Sequence, residues 1–284
     1  MTKKLVHLSA LCLLISVLNI QAQENENNTE QLDEIVVTAT KFETKKEHVG
    51  KIIRKISSEE IKNSTGKTVL EVLDNLASIQ INGANSAEGK NKSTYIRGGR
   101  DRQILVLIDG VPVTDPSGIT TTFDLRLLTL SQIESIEIMN GAASTLYGSG
   151  AATGVINITL KKVVDVPISM NYEVSLGTNN SQNSKEFDLS ALNQNVAISG
   201  AVKKFNYLTT FNKTSVNGLS EAVSENNLTK FKNDPFSATN LYLKLGYDFS
   251  ENLKAQLYTN YDKNVYDFDA GAFSDSDINN GINN

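Results

Sequence analysis

The second half of the chain alternates apolar and polar residues with a period of two, and no other feature of the sequence constrains the fold as strongly. Ser169 to Leu176 (SMNYEVSL), Lys185 to Ala191, Val196 to Val202, Tyr207 to Phe211, Asn240 to Phe249 and Leu253 to Tyr261 all carry the pattern. Leu241, Leu243, Leu245 and Tyr247 fall on one side of their segment, and Tyr242, Lys244 and Gly246 on the other. Successive strand residues point to opposite faces, so each segment presents one apolar face and one polar face. Short turns alternate with polar loops over 212–238 and 265–284, and Tyr172, Tyr207, Phe211, Tyr242, Tyr247, Phe249, Tyr258 and Tyr261 fall near strand ends. Antiparallel hairpins of a transmembrane β-barrel have this texture, with lipid on one face and a wet lumen on the other. A soluble β-sandwich alternates in the same way, and the absence of tryptophan weakens the case for an aromatic girdle. Roughly five or six strands fit between Val163 and Asn284, fewer than the eight of the smallest closed barrels. The chain ends in polar DINNGINN, which does not read as a strand. An open edge in hydrocarbon leaves backbone groups unpaired, so 163–284 is expected to be the N-terminal part of a barrel, truncated in this chain.

At the other end, Lys3 and Lys4 precede an apolar run from Leu5 to Ile20 that is broken only by His7, Ser9, Ser16 and Asn19. This is the layout of a signal peptide, 1–22, and the run is too short and too interrupted for a good spanning helix. Lipid attachment at Cys12 is rejected, because bulky Leu11 precedes it and the apolar run continues past it. Removing 1–22 takes away the only cysteine and two lysines but no acid, so a formal charge of −5 becomes more negative still. That balance argues against nucleic acid as a partner. A single remaining histidine, His48, leaves little for imidazole catalysis or a zinc site.

Residues 23–32, which include QENENNTE, are too polar to bury anything and read as a flexible linker. Asp33, Glu34, Ile35, Val36, Val37, Thr38, Ala39 and Thr40 follow as a strand-prone patch with no partner strand evident nearby. Residues 41–162 have the composition of a small α+β domain. Serines and acids at Ser57 to Glu60 mark a helix start, and Thr68 to Leu76 (TVLEVLDNL) has helical apolar spacing. Strands are expected at Ile79 to Ile81, Thr94 to Arg97, Ile104 to Ile108, Ile133 to Met139 and Val155 to Leu160.

Three runs are more specific than these patterns: DEIVVTAT (33–40), YIRGGRDRQILVLIDGVPVTDP (95–116) and IESIEIMNGAASTLYGSGAATGVINITLKK (133–162). In this order, behind a signal peptide, they resemble the TonB-dependent outer-membrane receptors. VLIDGVPV, LYGSGAATGVINI and the later NLYLKLGYDF are similar to the cobalamin (vitamin B12) receptor branch. The resemblance implies a plug domain over 41–162 inside a barrel in the bacterial outer membrane, in contact with its lipid. It makes 33–40 a TonB box, which adds as a strand to the edge of a TonB-type energy transducer driven by an inner-membrane motor. β-Augmentation accounts for the composition, since main-chain hydrogen bonds supply affinity and Ile35, Val36 and Val37 supply strand preference. The alternative is that Ile35 to Val37 form the plug's own first strand. The ligand would be cobalamin, a ferric siderophore or haem. Where many members have a basic residue and then Gly-Pro, this chain has Asn140, Gly141 and Ala142.

Arg97, Gly98, Asp109, Gly110, Glu134, Glu137, Gly141, Tyr147, Gly148, Gly154 and Asn157 are expected to shape the plug. Gly98, Gly99, Gly110, Gly148, Gly150 and Gly154 would serve chain reversals or close backbone approach. Arg97 and Arg100 are expected to pair with Glu134 and Glu137. Ligand contacts are expected from two polar loops, at Asn82, Asn85, Ser86 and Ser93 and at Thr114, Asp115, Ser117, Thr120 and Thr121, though solvated loops share that composition. Asp267, Asp269, Asp275 and Asp277 offer hard oxygen ligands for calcium, against the reading of a solvated acidic loop. No other cofactor is expected. GSGAATG comes near a dinucleotide fingerprint, but its glycines precede a strand at the wrong spacing, and RGGRDR is a single copy in an acidic chain. The leading function is ligand-gated active uptake. The alternative is a non-transporting outer-membrane or periplasmic binding protein, including a truncated relic of such a receptor. An enzyme ranks third, because no nucleophile, base and orienting group recur at plausible spacing.

Overall fold

The computed structural model describes residues 35–283 except 85, 87, 116–119, 179–188, 221, 223–230, 270, 272–273 and 275–277. The signal peptide, the linker, Asp33 and Glu34 therefore lie outside the described residues, as do Asn85, Ser117, Asp275 and Asp277. The first part contains β1 (Ile35–Val36), β2 (Thr44–Lys45), β3 (Ile52–Ile56), α1 (Ser58–Lys62), α2 (Val69–Asp74), β4 (Ile79–Asn82), β5 (Ser93–Ile96), β6 (Ile104–Ile108), β7 (Val111–Val113), β8 (Ile133–Asn140), α3 (Ser144–Tyr147) and β9 (Gly154–Leu160). The strands β10 (Ser169–Gly177), β11 (Ala191–Val202), β12 (Phe205–Val216), β13 (Phe236–Ser250), β14 (Leu253–Phe268) and β15 (Ile278–Asn283) follow.

The plug is a 5-stranded sheet of order β3-β8-β9-β6-β7, parallel only between β6 and β9. Alternate residues of its strands feed two apolar clusters on opposite faces. Ile104, Val106, Ile136, Ile138, Ile156 and Ile158 join α1 and α2 in one cluster. Leu105, Leu107, Met139 and Val155 join Ile53, Val36 and Ala39 in the other. Burial on both faces is why β6 reads as an unbroken apolar run, ILVLI. Both helices start at capping boxes, Ser57 with Glu60 and Thr68 with Glu71. Gly154 is required by close approach, since a Cβ there would lie 2.7 Å from Ile96 Cδ1 and 3.1 Å from the Met139 carbonyl oxygen.

The six strands β10 to β15 form one sheet in which every neighbouring pair is antiparallel. Leu241 and Tyr247 are exposed on its outer face, while Asn195, Thr210, Asn212, Asn240, Asp262 and Asn264 are buried on the inner one. That polarity is inverted relative to a soluble sandwich, and the strands are those of a partial barrel. Leu208 and Tyr242 reach inward into the plug's larger apolar cluster.

Three expectations are corrected. Val196 to Val202 is only part of a longer strand, because β11 runs unbroken from Ala191 and its interior polar residues pair along β12, while positions 185–188 of the segment before it lie outside the described residues. The polar C-terminal stretch does contain a strand, β15, which finds main-chain partners on β14 despite its composition. The 35–37 segment also has a partner strand: β1 pairs with β2, joined by a turn in which the amides of Thr40 and Lys41 both donate to the Val37 carbonyl.

Candidate partner-docking site

The described part of the expected TonB box is docked on the plug. Val36 and Thr38 are fully buried and Ala39 nearly so. Beneath them lies Glu137, 3% exposed in β8. Its Oε2 accepts hydrogen bonds from the amides of Val37 (2.9 Å) and Thr38 (2.9 Å) and from the Thr38 hydroxyl (2.7 Å). Tyr147, on α3, donates its hydroxyl to the Thr38 carbonyl at 2.9 Å. Burial, and then the Glu137 charge, push the Tyr147 phenol above its ordinary value, which keeps it a donor. Lys55 donates to the Ile35 carbonyl at 2.7 Å, and the Lys41 ammonium lies 4.9 Å from the Tyr147 ring centroid.

This geometry overturns the expected pairing of Arg97 and Arg100 with Glu134 and Glu137. Both arginines are exposed, and among the described residues neither reaches these carboxylates. The period of two decides the matter: Glu137 faces the 35–38 segment, whereas the half-buried Glu134 lies in the field of Lys161, whose pKa burial lowers.

Next to the docked segment a cavity of about 470 Å³ runs between Val37, Lys41 and Tyr147 and the β6–β7 turn. That turn places Asp109 (φ 49°) and Gly110 (φ 80°) in the left-handed region, the type I′ geometry that suits a two-residue hairpin loop. Asp109 Oδ1 accepts from the Leu160 amide at 2.9 Å, and Asn157 Oδ1 accepts from the Gly110 amide at 3.3 Å. Three of the residues singled out in the sequence therefore meet at one sheet edge. Asp109 Oδ2 also lies 4.0 Å from Lys244 Nζ on the barrel wall. Gly148 (φ 86°) ends α3, and Gly141 (φ 98°) and the Arg97–Gly98 pair (φ 51° and 76°) form further turns. At the departure from the family pattern, buried Asn140 leaves its Oδ1 without a hydrogen-bond partner among the described residues.

The first expected ligand loop meets Arg126, which follows closely after the second loop and was not singled out in the sequence. Its Nε donates to Asp124 Oδ1 (2.9 Å) and Oδ2 (3.0 Å), and its Nη1 donates to the Gly89 carbonyl. The guanidinium carbon lies 6.0 Å from the Tyr266 ring centroid. Lys244 is opposite Tyr258 in β14, eight residues before Tyr266, so the loop junction and the Asp109 contact are about 27 Å apart along that strand. Asn82 and Ser93 pair at the mouth of the first loop, and Ser86 bonds back to Gly83. In the second loop the Asp115 amide donates to the Thr121 carbonyl, and Thr120 bonds with Thr122, while Thr114 is exposed.

A second cavity, of about 460 Å³, lies between α1, α2 and the inner wall, with Lys62, Arg126, Lys161, Glu173, Asn193, Asn195, Asn212 and Asn240 on its lining. Its asparagines are the polar half of the alternation, so the signal for them was in the sequence. Asp269 Oδ2 accepts from the Ser220 hydroxyl (2.9 Å) and the Ala222 amide (2.8 Å), while the Asp267 amide donates to the Pro235 carbonyl. Among the described residues no three His, Cys, Asp or Glu side chains are grouped to hold a metal.

Residues 45–155 match the family described as TonB-dependent Receptor Plug Domain. A vitamin B12 transporter, BtuB, from Vibrio vulnificus strain CMCP6 is 33% identical over 158 residues, 56% of this chain and 25% of that protein. BtuB of strain YJ016 is 30% identical over 184 residues, 65% of this chain and 28% of that protein. The chain thus spans about a quarter of the length of these curated relatives. Solved structures are similar in fold. The siderophore receptor PirA of Acinetobacter baumannii has a TM-score of 0.59 at 19% identity, covering 75% of this chain and 32% of that one. The pyoverdine outer membrane receptor FpvA of Pseudomonas aeruginosa has a TM-score of 0.61 at 14% identity, covering 82% and 30%. Residues 45–155 are a plug domain of the TonB-dependent receptors, and the strands after it are antiparallel strands of a partial barrel of the fold those receptors share.

Proposed function

We propose that this chain supplies the plug and first barrel strands of a ligand-gated uptake receptor in the bacterial outer membrane. The receptor takes up a scarce, bulky nutrient of cobalamin or iron-chelate type and is energised through residues 33–40 by a TonB-type transducer. The observation that carries this reading is that 35–38 is held outside the five-stranded sheet, by a 2-residue strand pair, by burial of Val36, and by polar contacts to Glu137, Tyr147 and Lys55. The segment can leave without dismantling the five-stranded sheet, and its freed main chain is then open to strand addition by a partner. The relatives named for vitamin B12 and the folds named for siderophores support the ligand class, and the first loop, held at Arg126, supports ligand contact at the end remote from the box.

Val36→Pro tests this in cells expressing the gene that encodes the chain. Proline cannot donate a main-chain hydrogen bond to an added strand, so uptake of labelled cobalamin or ferric chelate should fall to background while folding and ligand binding persist. Loss of folding would instead mark 35–37 as the plug's permanent first strand. Comparing the two labels in the parent protein identifies the ligand class.

A further inference from the structure

Glu137 is a carboxylate in the middle of a sheet, and the reading above gives it no task. Its strand β8 lies between β3 and β9, with Ile136 and Ile138 packed in the helix-side cluster and Met139 in the opposite one. A charge at such a place is costly unless partnered. Among the described residues, the hydrogen bonds its carboxylate receives come from Val37 and Thr38, and two successive amides converging on one oxygen form a small anion nest. Directly across the β3–β8 ladder sits Lys55, paired in register with Glu137. Side chains at such positions are within each other's reach, yet Lys55 turns to the Ile35 carbonyl instead. The segment thus stands between two opposite charges on neighbouring strands and occupies both.

We propose that Glu137 is a positioning residue that latches the 35–38 segment, with Lys55 as its replacement partner: when the segment leaves, the two side chains pair with each other. The device has two states. Docked, Glu137 holds the amides of 37 and 38 while Lys55 holds the carbonyl of 35. Released, a cross-strand Lys55–Glu137 ion pair keeps the carboxylate from being left bare. Apart from the Thr38 hydroxyl, the groups it grips are main-chain ones, so the latch places little demand on the identity of the side chains there. This proposal rests on the reading of 33–40 as the partner-binding stretch.

The test is thiol accessibility in outer membranes without transducer. Cys12, the chain's only cysteine, lies in the expected signal peptide, so a thiol introduced at fully buried Val36 by Val36→Cys is a unique reporter of release. Leu73→Cys, at a fully buried position on α2, reports opening of the plug itself. Glu137→Gln should speed maleimide labelling at position 36 about tenfold or more, as loss of a charge-assisted group implies, with labelling at 73 unchanged. Tyr147→Phe should give a smaller rise. Lys55→Met removes a contact to the segment but also strands Glu137 on release, so it should raise labelling less than Tyr147→Phe. Unchanged labelling at 36 in Glu137→Gln overturns the latch, and a rise in Lys55→Met equal to that in Glu137→Gln overturns the replacement pair. If Glu137→Gln also exposes position 73, Thr38→Val decides: it removes one donor and leaves β8 intact, and no rise there overturns the latch. Uptake by Val36→Pro is a separate readout, so a failure of the latch and a failure of the transport reading can be told apart.

Discussion

The plug sheet and the six-stranded sheet use similar residues in opposite ways. In β8 and β9 nearly every residue is buried, whichever face it occupies. In β10, Met170 is 66% exposed and Leu176 62%, while on the inner wall Asn240 and Asp262 are 1% and 2% exposed. The inner polar wall is only partly satisfied from within: Asn240 Nδ2 donates to Asp262 Oδ1 at 2.7 Å, whereas Asn195 Oδ1, Thr210 Oγ1, Asn240 Oδ1 and Asn264 Oδ1 have no hydrogen-bond partner among the described residues, as suits a wall that faces a wet lumen. An outer apolar face is stable only against a medium that does not oppose it. The comparison teaches that the period of two fixes faces but not their meaning, which depends on what lies across each face.

The largest way to break this contrast is in the plug. Ile156 is fully buried in β9 and packs in the helix-side cluster, so Ile156→Ala should cost about 2–5 kcal/mol, read as a lowered denaturant midpoint with unchanged slope. A loss below about 1 kcal/mol would show that the plug core is already loose. Next in size is Leu243, at the centre of β13 and on the same face as exposed Leu241. Leu243→Lys should cost about 2–4 kcal/mol when the protein folds into phospholipid vesicles. An unchanged folding midpoint would mean that this face meets water and that the inverted polarity has another explanation.

What was legible in the sequence follows the same division. The long strands β12 to β14 and the core strands β6, β8 and β9 were visible because their apolar patterns are sustained, and α1 was visible through Ser57, Glu59 and Glu60. β3 was not, since IIRKI is short and half exposed. β7 contains Pro112 and is held by hairpin geometry at Asp109 and Gly110. At β15, polar INNGIN is strand only because β14 offers it an edge. The docking site was half legible: 35–38 and Glu137 were both singled out, but the contact between them spans 99 and 100 residues. No local spacing reveals that, and charge matching pointed to the wrong partners, Arg97 and Arg100. Arg126 was missed because, beyond its neighbour Asp124, its partners Gly89 and Tyr266 lie in two segments distant in sequence.

The smallest effect is expected where the two regions meet by charge. Lys244 Nζ on β13 is 4.0 Å from Asp109 Oδ2, with side-chain exposures of 12% and 40%. Asp109 keeps its bond to the Leu160 amide without the lysine, so Lys244→Met leaves the β6–β7 turn standing and tests only the attachment. At this distance, with one partner half exposed, the pair should contribute about 0–1 kcal/mol. The difference between parent and variant plug stability should shrink further as salt is raised. A loss well above that range, insensitive to salt, would mean that the plug is fastened to the wall at this contact rather than by Leu208 and Tyr242 packing in its apolar cluster. The boundary between the dry and wet sheets would then be held by a charge, and drawing the 35–38 segment out next to Asp109 would strain the joint as well as the latch.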